Sequence, residues 1–268
     1  MLDYRPSTSP HRPSTPLSQR LKAETSADHF RAEKHPLMAA MVTGRIDRAG
    51  YTRYLAQLLH VHLVLETHLC RLAAEQGVFR LVVREHHMRT PDLLADLDSL
   101  RQCLDDHPPL PATRLFCERI DALAADAPVS LLGTLYVLEG STNGGRYIGL
   151  AVRRSLGLFE GEVVGSGTEY LEPHGERQRD RWFLFKTSLD VLPLSPAERD
   201  LIVAVASDAF RGVHDIFEDL THPAPTPVPR PAAGRSAGTA NGTAHPTAAP
   251  HVCPRRWAEK EGCTPHNT

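Results

Sequence analysis

Three residues near the start of the chain carry types and spacing suited to chemistry. In LKAETSADHFRAE, Lys22, His29 and Glu33 are separated by seven and four residues. At about 100° per residue, a seven-residue step returns to within roughly 20° of the same helix face. Glu33 follows one turn later on that face. An imidazole, a carboxylate able to accept its second N–H, and a cation two turns away would therefore share one stripe. Haem iron commonly takes an axial imidazole, and a carboxylate on the far ring nitrogen fixes the tautomer of such a ligand. The plainer alternative is a charged helix face with an ordinary surface or core histidine.

A second informative stretch is LYVLEGSTNGGRYIGLAV, Leu135 to Val152. It is apolar at both ends and reads as helix, yet Gly140, Gly144, Gly145 and Gly149 interrupt it. Each interior glycine costs about 1 kcal/mol relative to alanine. Two gains could offset this: close approach of backbone to a flat ligand and a kink. Ser141, Thr142 and Asn143 place polar groups beside the bend, able to hold a water or bound O2. Tight helix–helix packing is the competing reading.

These segments need helices to position them. Ser18 is placed to cap a first helix ending at Lys34, before His35-Pro36. Asp47 caps a second, with Tyr51, Tyr54, Leu55, Leu58, Leu65, Leu69 and Leu72 on a broad stripe and Gly77 at its end. Thr90-Pro91-Asp92 starts a third, carrying Leu93, Leu94, Leu97, Leu100 and Leu104. Leu115, Ile120 and Leu123 mark a fourth. Ala127-Pro128 opens a fifth, from Leu131 to Leu156. Residues 175–192 and 195–220 supply two more, the last begun by a Ser195…Glu198 capping box with Pro196 at the first helical position. No alternating strand and no internal repeat is evident. The fold expected is all-α, with one domain over 17–221.

Residues 1–16, rich in Pro, Ser, Thr and Arg, read as a disordered leader. Residues 222–268, dominated by Pro, Ala, Gly and Thr, read as a flexible tail. The 268 residues carry a net charge of -2, which gives no strong attraction to nucleic acid or anionic membrane. No apolar run is long enough to span a bilayer, and the N-terminus lacks the apolar stretch of a secretory signal. The five cysteines, Cys70, Cys103, Cys117, Cys253 and Cys263, form no CxxC pair and no disulfide framework. A reducing cytoplasm is the expected compartment.

The sequence resembles the haem oxygenase family. The likeness begins in LKAETSADHFRAEKHPLMAAMVTGRIDRAGYTRYLAQLLHVHLVLE, which looks like that family's proximal helix and the helix after it. It continues in GSTNGG, Gly140 to Gly145, which looks like the glycine-rich bend of the distal helix. It closes in AFRGVHDIFEDL, Ala209 to Leu220. The resemblance implies that haem is both substrate and cofactor, sandwiched between the two helices. His29 would be the iron ligand and Glu33 its partner. Lys22 and Arg179 would meet propionates, and Phe210 would contact haem. Gly140, Gly144 and Gly145 would crowd the distal face, with Ser141, Asn143 and Gly144 beside the reacting atoms. O2 would be the co-substrate, and the products biliverdin, CO and iron. Electrons would come from an external reductant through a soluble donor, either ferredoxin-like or a flavin reductase. LEGSTNGG looks more like the bacterial, phytochrome-associated branch, which makes a bilin-accepting phytochrome a possible partner.

Two departures from the family pattern stand out. Animal members carry an aspartate after the first glycine of the bend, where it orders the waters that deliver protons; this chain has Ser141. The basic position that should follow Arg179 is Phe183, leaving Arg177 or Arg181 as substitutes.

Other features carry competing readings. His60, His62, Glu66 and His68 in HVHLVLETH suggest a di-iron site, which would also need glutamates from other helices; a solvated or core-edge face is the alternative. Glu139 reads as a structural partner at the distal helix. Cys253-Pro254 resembles short haem-sensing motifs, and also arises easily in a proline-rich tail. A protein that stores, carries or senses haem without turnover is a further alternative, motivated by Ser141.

Overall fold

The computed structural model describes residues 15–158 and 167–222. Most of the expected leader, nearly all of the tail, and Cys253-Pro254 lie outside those residues. Within them the chain is helical, with no strand.

The stretch expected to be one helix over 18–34 is two, α1 (Leu17–Glu24) and α2 (Ser26–Glu33). The break falls at Thr25, whose hydroxyl donates to the Leu21 carbonyl at 2.7 Å. Such back-bonding by threonine bends helices. Ser18 caps nothing: Pro16 precedes the helix, and the Ser18 amide and hydroxyl donate to the Asp190 carboxylate at 2.7 and 2.8 Å. His35-Pro36 ends α2 and at once begins an unanticipated α3 (Pro36–Val42), whose first turn is capped by His35 Nδ1 accepting from the Leu37 amide.

Asp47 caps α4 (Arg48–Glu75), accepting from the Gly50 amide at 2.7 Å. Gly77 does not close α4 but opens the short α5 (Gly77–Val82), without positive φ. In α6 (Thr90–Ser99) the buried leucines are Leu93 and Leu97, while Leu104 sits in a separate 3-10 turn. α7 (Pro111–Asp126) buries Thr113, Phe116, Ile120 and Ala124. Leu115, expected inside, is 66% exposed because it lies on the opposite face from that stripe.

The glycine-rich segment is interrupted as its composition suggests. α8 (Leu131–Ser141) gives way to a 3-10 turn over Thr142–Gly144 and then to α9 (Gly145–Leu156). α10 (Gln178–Asp190) and α11 (Pro196–Thr221) complete the bundle, the latter with both halves of the Ser195–Glu198 capping box formed.

α8 is the central helix, buried continuously from Leu131 to Glu139. It packs mainly against α11. A Cβ at Gly133 would overlap the Ile202 carbonyl oxygen, so the crossing of these helices depends on that glycine. Leu55, Leu59, Leu65, Leu69 and Leu72 of α4 are each almost wholly buried, each contributing about 1.5–3 kcal/mol of transfer free energy.

Candidate functional site

One cavity of about 1020 Å³ lies between α2 and the bend that joins α8 to α9. α2 packs on α11 and α3, while the bend packs on α10 and on the 3-10 turn Glu169–Leu171. The two walls thus come from separate parts of the fold.

On the α2 wall, Lys22, His29 and Glu33 all line the cavity despite the break at Thr25. His29 is solvent-accessible and its imidazole makes no hydrogen bond among the described residues; its ring meets Phe210 of α11 edge-on. Glu33 likewise stands free of His29 rather than accepting from its ring. Phe210 lines the cavity too.

On the bend, Gly140, Ser141, Asn143 and Gly144 line the cavity, and Gly145 does not. The glycines divide by task. A Cβ on Gly144 would meet nothing within 4 Å, so its bare backbone faces open space. A Cβ on Gly140 would come 3.2 Å from the Trp182 ring. At Gly145 it would overlap the Leu171 carbonyl oxygen, and at Gly149 it would crowd the Glu172 carboxylate. Packing therefore accounts for Gly145 and Gly149, and open approach for Gly144.

The polar residues of the bend turn their donors back onto the helix. Ser141 Oγ donates to the Leu138 carbonyl, Thr142 Oγ1 to Glu139, and Asn143 Nδ2 to Gly140, at 2.7, 2.7 and 2.9 Å. Their oxygens remain as acceptors. Gln178, at the start of α10, donates to Thr142 Oγ1 and Asn143 Oδ1, tying the bend to that helix.

Arg179 does not line the cavity, and neither do Arg177 and Arg181. Arg181 is committed to His86, its Nη1 lying 2.5 Å from His86 Nδ1. The cation that does reach the cavity from α10 is Lys186, beside Trp182. Sequence reasoning missed it. Its seven-residue spacing from Arg179, two turns along the same helix, was the available signal.

Behind the bend lies a buried polar network. Tyr170 lines the cavity, and its hydroxyl lies 3.4 Å from His62 Nε2. His62 Nδ1 donates to Glu66 Oε1 at 2.9 Å, and Glu66 also accepts the Arg89 and Thr90 amides. Burial pushes the Tyr170 phenol up to about 12. The turn carrying Tyr170 is clamped by Asp96, whose two oxygens accept the Glu169 and Tyr170 amides at 2.7 and 2.9 Å. Burial, and then a hydrogen bond with the Glu169 carboxyl, push Asp96 up to about 9. Glu139 pairs with His174 at 2.9 Å, as a structural partner would.

HVHLVLETH is not a metal centre. His60 Nε2 bonds the His107 carbonyl, His62 bonds Glu66, and His68 Nε2 bonds Asp121, so the side chains disperse. Among the described residues only His35, His214 and Glu218 converge closely enough to hold an ion. His35 Nδ1 accepts the Leu37 amide, however, which leaves the ring hydrogen on Nε2, facing Glu218 at 3.2 Å. A metal there would have to displace that hydrogen, and a hydrogen-bonded cluster accounts for the geometry.

The body is all-helical, with an unengaged histidine on one wall of its cavity and a glycine-bent helix on the other. Residues 15–219 match the family model described as heme oxygenase. The chain belongs to the heme oxygenase family. It is 26% identical over 213 residues to heme oxygenase 2 of Synechocystis sp., covering 77% of this chain and 83% of that one. It is 25% identical over 223 residues to heme oxygenase 1 of Pongo abelii, covering 76% and 71%. The crystal structure of Synechocystis heme oxygenase-2 in complex with heme and NO superposes with a TM-score of 0.70 at 26% identity, covering 77% of this chain and 85% of that one. Among the described residues, no helix is long and apolar enough to cross a membrane.

Proposed function

We infer that this chain is a haem oxygenase, cleaving haem with O2 to biliverdin, CO and ferrous iron. One observation carries the reading: His29 and the open backbone of Gly144 line the same cavity from its two walls. The fit of haem rests on the chain's own groups. The cavity is at the large end of small-molecule sites. The His29 imidazole is unengaged, and Lys22 and Lys186 supply two cations for two propionates.

Haem supplies the oxidative chemistry, on its own macrocycle. His29 would hold the iron through its imidazole, a ligand that suits this reaction better than a thiolate would. Phe210 fixes the plane of the His29 ring. Lys22 and Lys186 would hold the two propionate carboxylates. Gly144 admits the ring close to the backbone, where a side chain would intrude. Trp182 and Leu138 exclude bulk water. Glu33 stands one turn from His29 on the same cavity wall and would be the carboxylate nearest in sequence to its ring N–H. The electrons come from an external reductant through a soluble donor, ferredoxin-like or flavin-containing, and the bilin product suits a phytochrome acceptor.

The test is titration of haemin into the wild type and His29→Ala, followed by reductant in air. A 1:1 complex with a Soret band, converting to a biliverdin spectrum in the wild type alone, supports the reading. Tight binding without ring opening under several reductants would instead make the chain a haem carrier or sensor.

A further inference from the structure

Beside the bend, the cavity wall offers hydroxyls where the family's animal members offer a carboxylate. Ser141, Thr142 and Tyr170 are the candidates. The first two spend their hydrogens on carbonyls of their own helix, and Thr142 also accepts from Gln178. Tyr170 differs because it stands on a turn, with no helix carbonyl beneath its hydroxyl. Its partners are the side chains of His62 and Ser141.

The direction of the Tyr170 hydrogen follows from the residues behind it. Glu66 Oε1 accepts the Arg89 amide at 2.6 Å, the Thr90 amide at 3.1 Å and His62 Nδ1 at 2.9 Å. A carboxylate only accepts, so Nδ1 carries the imidazole hydrogen. With the single imidazole hydrogen on Nδ1, Nε2 holds a lone pair that faces the Tyr170 hydroxyl at 3.4 Å, and Ser141 Oγ stands beside it as a second acceptor for the phenol hydrogen. Toward the cavity the phenol oxygen is left to accept. That is what an aspartate offers a water, here without the charge. A water held on that oxygen by one hydrogen has its second free to point into the cavity. His62, Glu66 and Tyr170 are each at most 3% exposed, and Asp96 clamps the Tyr170 backbone, so the arrangement is fixed before any ligand arrives.

We propose that Tyr170, held by His62 and Glu66, is the residue that orders water on the distal side of bound haem in this chain. Tyr170 is the contact residue; His62 and Glu66 are positioning residues. The proposal rests on the haem oxygenase reading. It was not legible from Ser141, because Tyr170 reaches the bend from a turn almost thirty residues further on.

The test uses the haemin-loaded full chain, reduced under CO. The C–O stretching frequency reports hydrogen bonding at the distal face. Tyr170→Phe is expected to raise it and to abolish its shift on transfer to D2O. His62→Leu is expected to lower it, since the freed phenol hydrogen can then point into the cavity. A Tyr170→Phe spectrum identical to the wild type would overturn the proposal. The haem-free wild type gives an independent check, with no variant that has to fold. Nitrogen shifts of 15N-histidine-labelled protein should place the His62 hydrogen on Nδ1. A hydrogen on Nε2 would overturn the proposal. A wild type that takes up no haemin would instead overturn the functional reading, and the tautomer would still be decided.

Discussion

The His29 imidazole meets the Phe210 ring edge-on, with centroids 5.4 Å apart and planes at 89°. This contact joins α2 to α11 and fixes the plane of a side chain that no hydrogen bond restrains. Such pairs contribute about 0.5–1.5 kcal/mol beyond area burial. Phe210→Ala is expected to weaken haemin binding by roughly fivefold, corresponding to about 1 kcal/mol, as read by Soret titration. A change confined to thermal stability, with haemin affinity intact, would remove Phe210 from the positioning of His29.

Gly144 and Gly145 are adjacent and should respond in opposite ways to alanine. A Cβ at Gly145 meets backbone, which cannot swing aside. Gly145→Ala is expected to cost about 1–3 kcal/mol, the usual range for overpacking, seen as a lowered urea midpoint. Gly144→Ala has open space around it. Its fold stability should change by only about 1 kcal/mol or less, while haemin affinity and biliverdin yield fall, because the methyl projects into the cavity.

In the proposed complex Lys22 and Lys186 meet the two carboxylates of haem. Each alanine variant is expected to weaken haemin binding by roughly tenfold, consistent with charged hydrogen bonds of about 1.5–3 kcal/mol. Haem dimethyl ester should bind wild type and variants alike. Arg179→Ala, whose side chain lies off the cavity, should bind haemin as the wild type does. Sensitivity at Arg179 and indifference at Lys186 would restore the assignment suggested by sequence.

Two histidines and one aspartate make opposite contributions to pH dependence. Burial, reinforced by neighbouring positive charge, lowers His87 to about 2 and His86 to about 4. Depressed histidines contribute stability above their unfolded pKa near 6.5, lost as pH falls from there toward the folded values. Melting temperature should therefore drop between pH 6.5 and 4, and less so in His87→Gln. Asp96, raised to about 9 from 3.8, contributes stability that is full below 3.8 and is lost as pH rises toward 9. Asp96→Asn should flatten the alkaline side of the profile. A wild-type melting temperature constant from pH 4 to 9 would contradict both assignments.

What the sequence disclosed was whatever depends on near neighbours. Asp47, His35-Pro36 and the Ser195–Glu198 box act over three or four residues, and the helix boundaries they imply are present. Lys22, His29 and Glu33 reach one cavity wall because helical periodicity, even across the Thr25 break, keeps them on one side. What stayed hidden depends on distant partners. Ser18 looked like a cap because Asp190, 172 residues away, was invisible. Gly77 looked like a helix end because local rules do not separate a closing glycine from an opening one. Arg179 is the expected cation and Lys186 goes unnoticed because alignment by motif takes no account of which turn of α10 faces the cavity. Tyr170 carried no motif at all, and its position follows only from the pairing of its turn with Asp96, His62 and the bend.

The close approach of Gly145 to the Leu171 carbonyl has a mechanical consequence. Tyr170 and Leu171 are neighbours, and so are Gly144 and Gly145. Backbone touching backbone allows no slack, so the surface that meets the ligand and the phenol beside it travel together as one rigid jaw. A ligand too thick for the cavity cannot push the bend back and leave Tyr170 in place; it must shift both, along with the Asp96 clamp behind them.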